Sequence, residues 1–140
     1  GSMDQHVRDA FTESVDTVRL VIPPSSDYLR TARLVAADAS VRAGLDCEEI
    51  EDFRIAVDEL CHHLMSCSDN FVELHVVTTP RAVIARGLAI SRAGAESRVP
   101  GELSSLILAA TTDHYEVANR GDEMSFTILK QTRRVLADRR

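Results

Sequence analysis

The spacing of apolar positions along this chain changes period several times, and each change marks an element. From Val15 to Ile22 the pattern alternates and is rich in Val, which predicts a strand. Pro23-Pro24 ends it, and Ser25, Ser26 and Asp27 offer N-caps for a helix. Leu29, Ala32, Ala36, Ala39 and Ala43 then share one helical face, and Gly44 is placed to stop it. Asp46 followed by Glu49 has the spacing of a capping box, with Asp in the usual Ser/Thr place. A second helix follows to about Ser66. Its apolar stripe is Phe53, Val57, Leu60, Cys61 and Leu64, the period of a helix buried on a core.

Asp69-Asn70 predicts a turn, Phe71 to Thr79 a strand, Pro80-Arg81 a tight turn, and Ala82 to Ser91 the antiparallel partner. Gly94 to Pro100 reads as a short loop. Leu103, Leu106, Ile107 and Ala110 suit a third helix of about ten residues. A last hairpin, Tyr115 to Asn119 and Met124 to Lys130, turns at Asn119-Arg120-Gly121-Asp122, with Met124, Phe126 and Ile128 pointing inward. The order β-α-α-β-β-α-β-β predicts an α/β two-layer sandwich (α+β). Three helices would cover one face of a mixed, mostly antiparallel five-stranded sheet. Residues 14–131 form the expected single domain. Before it lie Gly1-Ser2, which look like a tag remnant, and a polar N-terminal stretch to residue 13, expected to be flexible. After it, 132–140 read as a solvated basic tail that includes Arg133, Arg134, Arg139 and Arg140.

Composition narrows the function classes. The chain has 140 residues, enough for one modest core. A net charge of −6 and few aromatics argue against nucleic-acid binding, which needs a basic surface or a stacking platform. No apolar run approaches membrane-spanning length and no signal-peptide pattern is present, so a cytoplasmic protein is expected. Three cysteines, Cys47, Cys61 and Cys67, lack framework spacing and predict reduced thiols, Cys67 being the better placed for redox chemistry. Asp46, Glu48, Glu49, Glu51 and Asp52 cluster at the start of the second helix, where acids complement the helix dipole.

The candidate chemistry sits on that helix, in Asp52–Met65, DFRIAVDELCHHLM. Glu59 and His63 are one turn apart and can reach one ligand. Cys61, His62, His63 and Cys67 do not have zinc-ligand spacing, so no metal is expected. Arg120-Gly121-Asp122 reads as turn chemistry, and Asp113 and His114 as polar residues at a helix-to-strand junction.

This order of elements, with DFRIAVDELCHHLM on the second helix, resembles the bacterial anti-sigma factors of the RsbW type, within the histidine-kinase-like (GHKL) ATPase superfamily. The resemblance covers roughly residues 15–130. It is strongest over Arg33 to Leu64 and nearest to the actinobacterial stress-response branch. It implies the Bergerat-type ATP-binding fold. It also implies that Glu59 matches the family's general base, while His63 stands where an Asn ligates Mg²⁺. Imidazole is a poor ligand for that ion, which prefers hard oxygen donors. The family's Asp-x-Gly-x-Gly box aligns with Arg92, Ala93, Gly94, Ala95 and Glu96. Only Gly94 is kept, and Arg92 has no acceptor for an adenine amine. The phosphate-holding Gly-x-Gly aligns with Glu102 and Ser104.

The resemblance therefore implies the family's scaffold with a degenerate nucleotide site at His63, Arg92 and Gly94 and a vestigial base at Glu59. Its partner function becomes the expectation: an anti-sigma factor that sequesters an alternative sigma factor and is released by an anti-anti-sigma (STAS-type) protein. Arg33, with Arg30 beside it, matches the helix position that contacts the sigma factor in relatives. A homodimer is possible, as relatives are often dimers. No cofactor is expected. Mg-ATP or ADP enters only on the alternative, an active serine-protein kinase that phosphorylates an anti-anti-sigma factor.

Overall fold

A computed structural model of the chain describes residues 16–93 and 99–133, together with Gln5. The N-terminal stretch 1–13 (Gln5 aside), the candidate Gly94 with Glu96, and the tail from Arg134 onward lie outside the described residues. Among the described residues from Asp16 to Gln131, five strands and three α-helices follow one another in the expected order. They are β1 (Asp16–Ile22), α1 (Leu29–Arg42), α2 (Cys47–Cys67), β2 (Val72–Thr78), β3 (Ala82–Ile90), α3 (Glu102–Thr111), β4 (His114–Arg120) and β5 (Glu123–Gln131), with one 3₁₀ turn at Ser26–Tyr28 before α1.

Local chemistry accounts for the boundaries. The Ser25 hydroxyl accepts from the Asp27 amide at the head of the 3₁₀ turn. Gly44 ends the first helical segment at φ +83°, a conformation that disfavours any side chain. The capping box is reciprocal: Asp46 accepts from the Glu49 amide and Glu49 from the Asp46 amide, each at 2.8 Å. Gly121, at φ +62°, makes the β4–β5 turn, so the RGD triplet is turn chemistry as expected. Asp113 accepts from the Gln131 amide at 2.7 Å and ties the end of α3 to β5.

The strands are ordered β1-β2-β3-β5-β4. Every pairing is antiparallel, whereas a mixed sheet was expected. The reason is the last hairpin. The α3 crossover returns β4 in the direction of β3, but the tight turn inserts β5 between them, so no parallel neighbours result.

The helices lie on one face. The stripe Phe53, Val57, Leu60, Cys61 and Leu64 is fully buried, and Ala32, Ala36 and Ala39 bury the inner face of α1. These pack on the inward residues of the sheet, including Val72, Leu74, Val76, Phe126 and Ile128. The approach is closest at Gly87. A methyl group there would stand 2.5 Å from the Leu60 and Leu64 side chains, so the absence of a Cβ lets α2 sit against β3. A second apolar cluster, Val77, Ile84 and Leu129, is buried on the other face of the sheet.

Two expectations about faces are corrected. Leu103 and Leu106 of α3 are 71% and 64% exposed, and the core residue of this helix is Leu108. The helix is apolar around most of its circumference, so its period could not identify the inner side. Arg133 is also more than a free tail residue. Its amide and Nε donate to the buried Glu49 carboxylate at 3.0 and 3.2 Å, and Thr132 donates from its amide to Arg81. The domain is thus closed two residues beyond β5, at the N-terminus of α2.

Candidate functional site

The site predicted on α2 is built from the α2 face that α3 covers. Glu59 is half-buried and projects from the middle of α2. The Ser104 hydroxyl, in the first turn of α3, donates to Glu59 Oε1 at 2.7 Å. The Glu59 carboxylate is therefore held by the chain itself. A carboxylate accepts readily from a hydroxyl, and with one side toward α3 it is oriented by that bond.

His63 does not join Glu59 on an open surface. Its ring packs edge-on against Phe126, with centroids 5.7 Å apart and planes at 74°. Phe126 is a fully buried residue of β5, so His63 belongs to the boundary of the core. His62 is the exposed member of the pair. Arg92 lies where β3 leaves the sheet. Its backbone amide donates to the Cys67 carbonyl at 2.8 Å, and its guanidinium sits 3.8 Å from Asp69. These contacts join the end of β3 to the end of α2, at the position where an adenine acceptor was sought. Gly94 lies outside the described residues.

The cysteines are separated by environment. Cys61 is fully buried, and burial, with the Asp58 charge adding to it, pushes its thiol up to about 12. Cys67 is 3% exposed, so the redox expectation for it fails on access. Cys47 at the start of α2 is the exposed thiol. Among the described residues no cluster of His, Cys, Asp and Glu could hold a metal ion.

The partner-binding candidates lie on α1. Arg33 Nη1 donates to Asp58 Oδ1 at 2.7 Å, an ion pair between α1 and α2 with both side chains about one-third exposed. Arg30, one turn earlier, is exposed. The outward side of α1 also exposes Leu34 by 64% and Val41 by 62%. Sequence reading passed over both, although each lies off the alanine face and could have been noticed for that. It also passed over Asp58 as the partner of Arg33 and Ser104 as the partner of Glu59. Separations of 25 and 45 residues leave no trace in a local pattern.

With this geometry in hand, the chain can be set beside known proteins. No protein-family model matches it. It is 41% identical over 49 residues to the serine-protein kinase RsbW of Bacillus pumilus, a stretch that covers 35% of this chain and 30% of that protein. The crystal structure of the RsbU and RsbW domains of a Mycobacterium tuberculosis protein superposes with a TM-score of 0.67. That likeness covers 86% of this chain and 34% of the other, at 12% identity. The chain has the RsbW-type, histidine-kinase-like fold.

Each match spans about a third of the relative's own length (30% and 34%). The RsbW-type fold sets the frame for the residues above: Glu59 and His63 on α2, Arg33 on the α1 face that borders α2, and Arg92 where β3 ends. Among the described residues no helix is long and apolar enough to cross a membrane.

Proposed function

We propose that this RsbW-type domain works as a protein-binding module, an anti-sigma factor that sequesters an alternative sigma factor through α1. It would be released by an anti-anti-sigma partner and would have no working nucleotide site. The observation that carries this reading is the Ser104–Glu59 hydrogen bond. The carboxylate that would act as base accepts from Ser104, a side chain in the first turn of α3, where the family's phosphate-holding glycines would stand. His63, packed on Phe126, offers no oxygen ligand to Mg²⁺. Losing several oriented polar contacts at about 1–3 kcal/mol each removes useful ATP affinity. The α1 surface supports the partner half. Exposed Leu34 and Val41 supply apolar area, and Arg30 and Arg33 supply guanidinium groups, the residue type enriched at interface hot spots.

Calorimetric titration with Mg-ATP and co-purification with alternative sigma factors test the two halves separately. No binding heat and a stable sigma complex are expected. Micromolar ATP binding overturns the first half, and the absence of any sigma complex overturns the second. The Bacillus pumilus relative is named a serine-protein kinase, so the competing reading is phosphotransfer with Glu59 as base. Labelled phosphate moving from ATP to an anti-anti-sigma protein would establish it in place of the one above.

A further inference from the structure

The sheet face away from the helices is open at one end and covered at the other. At the open end Val21, Phe71 and Ile90 are 46%, 62% and 40% exposed. At the covered end Val77, Ile84 and Leu129 form one cross-strand row on β2, β3 and β5, exposed by 0%, 0% and 2%. The three helices lie on the opposite face, so none of them covers this row. Its neighbours on the sheet do not fold over it either. In the next row His75 bonds to Glu73 and Arg86 to Thr127. Side chains standing on a sheet flank one another, so a central row loses contact with water only beneath another layer.

Three stretches of chain lie outside the described residues: 1–15 (Gln5 aside), 94–98 and 134–140. Their points of attachment select one of them. Residues 94–98 follow Arg92, whose amide is bound to the Cys67 carbonyl at the far end of β3. Residues 134–140 follow Arg133, which is fastened to Glu49 on the helix side. The first stretch instead joins β1 at Asp16, which pairs with Thr78, one residue from Val77.

The sequence of that stretch fits the place. Met3, Val7, Ala10 and Phe11 stand at i, i+4, i+7 and i+8, one helical stripe. At about 100° per residue Gln5 falls opposite the stripe, and Gln5 is helical and exposed. A helix from Met3 to Phe11 is about 13 Å long, enough to cross from β2 to β5, a span of about 10 Å. The remaining residues, 12–15, reach about 13 Å, enough to turn from the start of β1 onto β2.

We propose that the N-terminal segment is the missing layer: an amphipathic helix over residues 3–11 docks its stripe on Val77, Ile84 and Leu129. The polar residues that suggested a flexible tail are then the solvent side of this helix. A partner that uses this half of the sheet must first displace the segment, while the end around Phe71 stays open. The inference stands whether or not a sigma factor binds α1.

Thiol labelling of the full chain tests it. In a Cys47→Ser background, Val77→Cys places a thiol in the covered row with little change of volume. This thiol should react far more slowly than Cys47 does in the wild type. Val7→Asp with Phe11→Asp should speed its labelling at least about tenfold by undocking the segment. Cys61 and Cys67 should stay unreactive in the same protein, which general unfolding would not allow. Gln5→Lys, on the solvent side, should leave the rate unchanged. Labelling of the introduced thiol as fast as Cys47, or at a rate indifferent to the paired Asp changes, overturns the proposal. So does exposure of the row by removal of residues 134–140, which would make the tail its cover.

Discussion

Glu73 shows how a single side chain on the sheet's outer surface gains a pH signature. Arg19 donates to both of its oxygens, and His75 Nε2 lies 2.5 Å from Oε2. The Arg19 hydrogen bonds first, then His75, hold the carboxyl at about 2 against an ordinary 4.5. Because the folded value lies below the unfolded one, its contribution to stability is present above 4.5 and is lost as pH falls from 4.5 toward 2. Thermal melts of the wild type should therefore fall more steeply through that window than those of Glu73→Gln. The thiols supply a second residue-scale expectation. With Cys61 and Cys67 buried and Cys47 exposed, a thiol reagent should label one cysteine quickly in the native protein and all three only in denaturant. Rapid labelling of more than one would contradict the packing of α2.

At the scale of elements, the weakest tolerance lies where α2 meets β3. Gly87→Ala would push a methyl group to within 2.5 Å of Leu60 and Leu64. Both leucines are fully buried, so one must leave its packed position. Overpacking of this kind costs about 1–3 kcal/mol, and the midpoint of urea unfolding should fall accordingly. The N-terminus of α2 is the second such point. Glu49 is fully buried and accepts from the Asp46 and Arg133 amides. Glu49→Ala removes half of the capping box and leaves amide donors without their acceptor, a loss of about 1–3 kcal/mol. Amide exchange should report it first at the start of α2 and at the end of β5, which the Glu49 carboxylate holds together.

For the molecule as a whole, the test of the binding surface is a split between stability and affinity. The Arg33–Asp58 pair is partly exposed, and pairs of that kind contribute at most about 1 kcal/mol to folding. Arg33→Ala should thus shift the unfolding midpoint little. If α1 is the sigma-binding face, the same change should weaken the complex by about tenfold or more, the loss typical of an arginine hot spot. A large loss of stability with unchanged affinity would make Arg33 a structural residue and move the interface elsewhere.

The sequence by itself determined the elements and most of their inner faces. The stripe from Phe53 to Leu64, the alanine face of α1, the capping box of Asp46 and Glu49 and the stop at Gly44 all depend on neighbours within a turn or two. Periodicity and capping are local, so they can be read from the chain. Only the tertiary structure decided what non-local contacts control. It inserted β5 between β3 and β4, turned Leu103 and Leu106 outward, and drew Arg133 onto Glu49. The candidate site divided in the same way. Glu59 and His63 were legible as residues one turn apart. Their fates, one held by Ser104 from α3 and the other packed on Phe126 from β5, were set by partners 45 and 63 positions away along the chain. Which groups meet across such separations is fixed by the packing of whole elements, and no local pattern of residues encodes it.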